Sequence, residues 1–536
     1  MKNLKRNNSF KDWKKVSQLY VNWVAKTSLR KYFSQNFLVD DLSVWWITDI
    51  CNKDNVIKND WFVNLKLLLI QKKIIKNNLF KFYLFFVLKF LKNFLIDLLW
   101  YSFIKILSFS RYKKIDKENC FHSLNYNFLK HKNEFIDRCY GTAIKKNLSK
   151  NFYLININKK KNFILDLFKR KKYFKNLPIL IADENISVFD VVKVYFKSLL
   201  IFLKLIFLFN KKKDFFIINN VNCGEILKPL LLMSFAGGVQ KSLLIGKSIQ
   251  NSIIDKKIKS FVNYAEFNPF MRSIYFFIKK IKLPPKIFTI QHGAANKNLL
   301  FFFHKRNEFT TNKKNEGKFF SPSPDVYLVQ GQYFKDILKS YFPKKIFIIG
   351  SLKYDTLQLI QKKKNSLLNL KRKNKKILLI CPSIGDEKLI LSFFEKCYSS
   401  NYRLILSPHP TYKKEILSKF REKLNKKFEI EFYDEYSTND LLSISNLVVC
   451  SMSTIGYEAL FHNIISVRII DDSLPPFFND EDNLPLINNF SELDDILNER
   501  TKYKFSNKDF LNVKKRYFYK LDKKAHLRFW ALIKKI

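Results

Sequence analysis

From residue 374 to about 495 the chain alternates short β-rich apolar runs with helical ones: "KKILLI", "DEKLILSFFEKCY", "YRLIL", "TYKKEILSKFREKL", "FEIEFY", "STNDLLSIS", "LVVC", "STIGYEALF" and "ISVRII". A strand that is followed by a helix and then another strand rejoins its sheet in parallel, with the helices covering both faces. The pattern predicts one doubly wound α/β domain over 374–500. Upstream, "DFFIIN", "KSLLIG", "KSFVNY", "KIFTI", "DVYLVQGQYFKDILKSYF" and "KIFIIGSLKYD" read as a second such unit over 211–373, which includes the Lys- and Asn-rich linker "QKKKNSLLNLKRKNKK" at 361–376. At 536 residues the chain is too long for one core. The expectation is α/β, two Rossmann-like doubly wound domains facing a cleft. A helix-rich region over 1–210 precedes them, and a helical segment over 501–536 packs back.

Ligands of open α/β sheets sit outside the carboxyl ends of the strands, so the residues found there carry the chemistry. "YRLIL" ends at "SPHP", where Pro408 and Pro410 fix φ on both sides of His409 and present the imidazole on a stiff loop. "NLVVC" runs into "SMSTIGYEALF", which places Ser451, Ser453 and Thr454 at a helix start. Free amides, a helix dipole and hydroxyls together make an anion site. Glu458 lies one turn on and could accept from ribose hydroxyls. Each piece alone is an N-cap or a structural histidine as readily as a ligand; two of them at equivalent strand ends predict a shared nucleotide-phosphate site.

In the upstream unit "KIFTI" ends at "QHGAANKN", which exposes Gln291 and His292 beside a small-residue turn, and "NYAEFNPFMR" offers Glu266 and Arg272. His292 or Glu266 would serve as the base for an acceptor hydroxyl, with Arg272 and Gln291 orienting it. The plainer alternative has His292 capping its loop and Glu266 paired with Arg272. "GGVQKSLLIGKS" is not a phosphate loop, because Lys241 stands where the pattern needs a glycine.

The 97 basic and 46 acidic residues give a formal net charge of +51. Only 14 of the basic residues are arginine, and the lysines are dispersed among Asn, Ile and Phe without a cluster of stacking aromatics, which argues against nucleic acid as partner. An anionic membrane surface or an anionic substrate suits the charge better, although A/T-rich coding alone produces such a composition. Seven cysteines at 51, 120, 139, 223, 381, 397 and 450 form no CxxC pair, so neither a disulfide framework nor a zinc site is signalled. The basic N-terminus lacks the apolar run of a secretory signal, and a cytoplasmic location is expected.

Residues 79–109 and 191–210 are strongly apolar, yet neither contains 18 apolar residues free of charge. In the second, Lys193, Lys197, Lys204 and Lys211 fall within about 40° on a helical wheel. A buried core helix, a helix lying on the inner membrane surface and a true span remain open. The interfacial form puts the protein peripherally on the inner face of the cytoplasmic membrane.

The His409-Pro410 and Ser453-Thr454 pairs resemble the HP and S-S/T motifs of bacterial GT-B glycosyltransferases that build surface polysaccharides: the sialyltransferases and the related Kdo and polyol-phosphate transferases. The loop at 291–298, the segment "GSLKYD" at 350–355 and "LSVWWITDICNKDN" near the N-terminus are similar to segments of the same group and of surface-carbohydrate biosynthesis proteins. The resemblance covers about residues 215–480. It implies transfer of a sugar from a nucleotide-activated donor, CMP-linked in these enzymes, to a glycan or lipid-linked acceptor. The two motifs would hold the donor phosphate. It implies no metal and no cofactor, the nucleotide-sugar being a substrate. Polyol-phosphate transfer, nucleotide-sugar epimerisation and a non-catalytic scaffold of polysaccharide assembly are the alternatives. Two departures matter. Leu352 and Lys353 replace the usual proline and arginine of the 350–355 segment, and the acidic motif of sialyltransferases is missing, so sialic acid is not implied.

Overall fold

The computed structural model describes residues 2–53, 60–72, 79–107, 116–124, 128–131, 134–137, 139–141, 143–144, 149–157, 178–264, 267–293, 300–357, 367, 375–382, 386–397, 401–408, 414–426, 428–433, 436–451, 453–470, 486–487, 489–500 and 507–536. Its first sheet has seven parallel strands: β1 Asn119–Leu124, β2 Asn151–Asn156, β3 Ile179–Ile181, β4 Ser260–Tyr264, β5 Lys286–Ile290, β6 Val326–Val329 and β7 Lys345–Ile348. Across the sheet they run β3-β2-β1-β4-β5-β6-β7. The chain lays down three strands in one direction, returns to β1 and continues the other way.

This corrects the boundary expected at 211, because three of the seven strands lie between 119 and 181. Those runs are short and polar in places. His122 in β1 meets Asn156 at the end of β2 through Nε2 at 3.0 Å, so polar residues that break the apolar pattern are satisfied inside the sheet. "KSLLIG" is not a strand but part of a helix over Gly238–Ile253. "DFFIIN" supplies a single helical turn and one arm of a two-residue hairpin, Ile217–Ile218 with Val221–Asn222.

The helices over the first sheet and its N-terminal extension include α1 Lys2–Lys26, α2 Leu79–Leu107, α3 Val188–Lys211, α4 Gly238–Ile253 and α5 Pro269–Lys279. Their common core includes Tyr20, Trp45, Trp46, Phe216 and Leu243, all fully buried. Two polar clasps fasten the extension to the domain. Arg272, on α5 and fully buried, donates through Nη1 to the carbonyls of Trp46 and Cys51. Lys53 Nζ, at a left-handed backbone position, lies 2.7 Å from Glu308 Oε1 and 2.9 Å from His304 Nδ1. Burial alone would raise the Glu308 carboxyl, but Lys53 and His304 hold it far below the usual carboxylate range.

The second sheet has six parallel strands: β8 Lys376–Cys381, β9 Tyr402–Leu406, β10 Ile430–Phe432, β11 Leu447–Cys450, β12 Ile465–Ile469 and β13 Leu486–Ile487, in the order β10-β9-β8-β11-β12-β13. Every residue of β11 and nearly all of β8 are buried, as strands covered on both faces must be. One helical turn, α6 Ile455–Glu458, follows β11. The strand order repeats that of the first sheet, so the molecule consists of two Rossmann-like doubly wound units, the architecture expected of GT-B.

Helices α7 Asn507–Phe518 and α8 Ala525–Lys535 return to the first domain. Phe529 and Trp530 of α8 join the first sheet's core, and Trp530 Nε1 donates to the Ala143 carbonyl at 2.8 Å. A separate aromatic core joins the two units: Tyr327 and Tyr354 from the first, Tyr457 and Leu460 from the second, Tyr517 and Phe518 from α7.

Candidate functional site

In a sheet ordered this way, adjacent strands whose connections leave in opposite directions open a crevice at their carboxyl ends. In the second sheet that point lies between β8 and β11, which pair from Leu378↔Leu447 to Cys381↔Cys450. Ser451, Ser453 and Thr454 begin one residue past the end of β11. β9, which leads to His409 and Pro410, lies on the other side of β8. The two expected halves of the phosphate site are therefore on strands that flank β8, not on neighbouring strands, and the strand ends are roughly 10 Å apart at the usual spacing. His409 and Pro410 themselves, like Glu266, lie outside the described residues, as does most of the linker 361–376.

Ser451 is buried, while Ser453 and Thr454 are half-buried. Ser453 Oγ accepts from the Ile455 amide at 3.3 Å, which leaves its own hydrogen to donate. Because α6 is a single turn, a helix dipole adds little here. The positive charge comes from elsewhere. Arg468 on β12 is fully buried, stands opposite Cys450 in the strand register and donates through Nη1 to the Ser451 carbonyl at 3.0 Å. Its guanidinium thus lies against the start of the turn, at Ser451, and beside Gly456. A Cβ at Gly456 would lie 2.0 Å from Arg468 Nη2, so only glycine lets α6 close over this side chain. Burial raises the Cys450 thiol, against the pull of Arg468.

Glu458, expected to meet a ribose, is engaged by the other domain instead. It is buried, and Oε1 accepts from Lys353 Nζ at 2.8 Å and from the Tyr354 hydroxyl at 2.7 Å. Lys353 and Tyr354 follow the carboxyl end of β7, whereas Glu458 follows that of β11. The carboxyl ends of the two sheets thus meet across one contact, with the Ser451–Thr454 turn beside it. Tyr354 also packs on Phe461 at 4.4 Å, and Gly350, at φ +82, turns the segment toward Arg528.

On the facing side His292 is exposed just past β5, with its ring 5.6 Å from that of Tyr264 at the end of β4. The Tyr264 hydroxyl accepts from the Leu124 amide at the end of β1. His292 thus stands beside the first sheet's own crevice, between β1 and β4. Gln291 is not available to an acceptor. It is buried, its Oε1 takes the Gln330 amide at 2.8 Å and its Nε2 donates to the Gly293 carbonyl at 2.6 Å. It braces the loop that carries His292. Arg272 is likewise withdrawn from the cleft by its bonds to Trp46 and Cys51. Its place on the first turn of α5 turns the long side chain back into the N-terminal core, where free carbonyls await it.

Arg468 was missed from sequence, and Lys353 and Tyr354, though in the 350–355 segment singled out there, had no role assigned. Arg468 had one signal: it is the sole charge in the strand run "ISVRII". Among the described residues no three His, Cys, Asp or Glu side chains converge as metal ligands would.

No protein-family model matches the chain, and no curated protein matches it. Among solved structures, the wall teichoic acid polymerase TagF is similar at 14% identity over 83% of this chain and 97% of that one, with a TM-score of 0.41. UDP-GlcNAc 2-epimerase from Neisseria meningitidis bound to UDP-GlcNAc is similar at 10% identity over 79% and 100%, with a TM-score of 0.43. The kitacinnamycin glycotransferase is similar at 9% identity over 79% and 99%, with a TM-score of 0.42. Overlap at this level fixes neither residue correspondence nor chemistry, and both rest on this chain's own strand order and side chains.

Proposed function

We propose that the chain is a glycosyltransferase that moves a sugar from a nucleotide-activated donor, CMP-linked, to a surface-polysaccharide or lipid-linked glycan acceptor. The observation that carries this reading is the Ser451–Thr454 turn, which lies at the crevice of a doubly wound sheet, over a buried arginine and beside the contact between the two domains. An anion bound there touches the hydroxyls and amides of the turn while the rest of its molecule faces the first domain. In the reaction, an acceptor hydroxyl oxygen bonds to the anomeric carbon and the bond from that carbon to the phosphate oxygen breaks. The electron pair leaves with the nucleotide. His292 takes the acceptor's proton, with Glu266 as the other candidate base; Ser453, Thr454 and His409 donate to the departing phosphate. Because protein donors neutralise that charge, the step is assigned no metal.

The test is calorimetric binding of CMP, CDP, UDP and GDP, followed by single substitutions. A cytidine nucleotide is expected to bind best, and Ser453→Ala and His409→Ala are each expected to weaken it about tenfold, the value of one hydrogen bond to a charged phosphate. Unchanged affinity in both variants overturns the site. Release of UDP without acceptor would favour epimerisation, and binding of no nucleotide would favour a scaffold.

A further inference from the structure

Helices α2 and α3 pack against each other on the N-terminal layer, antiparallel. Phe86 stacks on Phe202 at 3.8 Å, and the Tyr195 hydroxyl donates to Asp97 at 2.8 Å. Their inner faces are ordinary core. Their outer faces are not, since 17 of the 25 exposed large apolar side chains of the described residues belong to these two helices. Phe80, Phe189, Leu99 and Phe207 are 77%, 73%, 69% and 68% exposed. On α3 the exposed residues Phe189, Val192, Phe196, Leu200, Leu203 and Phe207 fall within an arc of about 80°, opposite the buried one. Helix α2 runs 29 residues, about 44 Å at the usual rise, with a broader apolar face. Such a patch far exceeds the scattered apolar residues of an ordinary soluble surface.

Exposure sets this pair apart from another apolar helical stretch. Gly224–Ile253 is long and apolar enough to cross a membrane, yet 67% of its most apolar window is buried in the protein.

Charge decides what covers the α2–α3 face. Lys193, Lys204 and Lys211 border the apolar arc of α3, and Lys81, Lys89 and Lys92 are exposed along α2. A second copy of the chain would bring these lysines against their equivalents in a molecule of formal charge +51. Anionic lipid headgroups instead meet lysines at the border while acyl chains meet the apolar centre. Both helices bury one face in the protein, so they lie along the bilayer and do not span it.

We infer that α2 and α3 form a docking face for the surface of an anionic phospholipid bilayer. The inference stands on the two helices alone and holds whether or not the chain transfers a sugar. If it does, the face holds the enzyme where lipid-linked acceptors reside.

The experiment is flotation of the full chain with vesicles of phosphatidylcholine, alone or mixed with phosphatidylglycerol. Binding is expected with the mixed vesicles and is expected to fall as salt rises. The double substitution Leu88→Glu with Phe196→Glu should weaken it about a hundredfold, because two side chains lose their apolar burial. Lys193→Glu with Lys204→Glu should remove the preference for phosphatidylglycerol. Each variant alters exposed positions only, so its unfolding midpoint should match the parent's, and nucleotide binding serves as a separate control. The inference is overturned if the chain stays with the unbound fraction, or if the Glu variants float like the parent. It is equally overturned if light scattering shows a dimer that these variants dissociate while vesicles go unbound.

Discussion

Two fully buried arginines, Arg272 and Arg468, occupy comparable stations in the two domains, one just after the fourth strand of its sheet and one on the strand after that. They do opposite things. Arg272 reaches away from the cleft, to the carbonyls of Trp46 and Cys51, and fixes the N-terminal extension. Arg468 reaches toward the cleft, to the carbonyl of Ser451, and sets the charge beneath the candidate phosphate turn. A buried cation is therefore no sign of a site in itself. Its acceptor decides whether it serves stability or binding.

Substituting both positions breaks that comparison most sharply. Arg272→Met should lower stability by about 3 kcal/mol, because two buried carbonyls lose their donor and the guanidinium's volume is poorly refilled. The folded fraction should still bind nucleotide as the parent does. Arg468→Met should cost about 1 kcal/mol in stability yet weaken nucleotide binding about tenfold. Chemical denaturation and calorimetric titration of both variants check this. Equal losses of binding would place both arginines in one role.

The domains differ also in their response to acid. In the first, burial lowers His122 to about 4, against a hydrogen bond with Asn156, and lowers His304 to about 3, with Lys53 beside it adding to the shift. In the second, His462 is lowered by burial and by Lys514. A histidine held neutral by the fold binds its proton more readily once unfolded. Its contribution is therefore fully present above the unfolded value of about 6.5 and is lost as pH falls toward the folded one. Between pH 7 and 5 the first domain should lose about 2 kcal/mol through His122 alone. Scanning calorimetry at the two pH values reads the shift, and His122→Asn should remove the His122 share of it while that of His304 persists. A profile that stays unchanged in that variant would assign the acid sensitivity to other groups.

The second domain was legible because its strands are almost wholly apolar and its helices amphipathic, so the alternation in "KKILLI" through "ISVRII" maps directly onto β8 to β12. The first was half hidden. β1 and β2 carry His122 and Asn156, whose partners are distant in sequence, and "KSLLIG" has the consecutive apolar residues of a strand because its helix is buried on several sides from Ser242 to Gly246. At the site, position along the chain located Ser451, Ser453 and His292 at strand ends, but it could not tell which way a side chain turns. Gln291 and Glu458 stand at the right ends and face their own loops and the other domain. Arg468 escaped notice because one charge in a strand run reads as the solvent side of an alternation, whereas its partner opposite, Cys450, ends the strand that carries the site.

The finest distinction concerns Glu458, where the ribose role read from sequence and the domain contact seen in the fold compete for one carboxylate. Glu458→Gln keeps an acceptor for the Tyr354 hydroxyl and removes the charge that Lys353 meets. Since the carboxyl is buried and Lys353 is mostly so, the loss should be about 1 kcal/mol. It should appear as a lower unfolding midpoint, and combining Lys353→Met with Glu458→Gln should add almost nothing to it. Nucleotide affinity should be unaffected, because the carboxylate is already engaged. A fall in affinity without any change in stability would reverse the assignment: the Lys353 contact would then open when a nucleotide binds, and the cleft would close on its ligand by exchanging one partner of Glu458 for another.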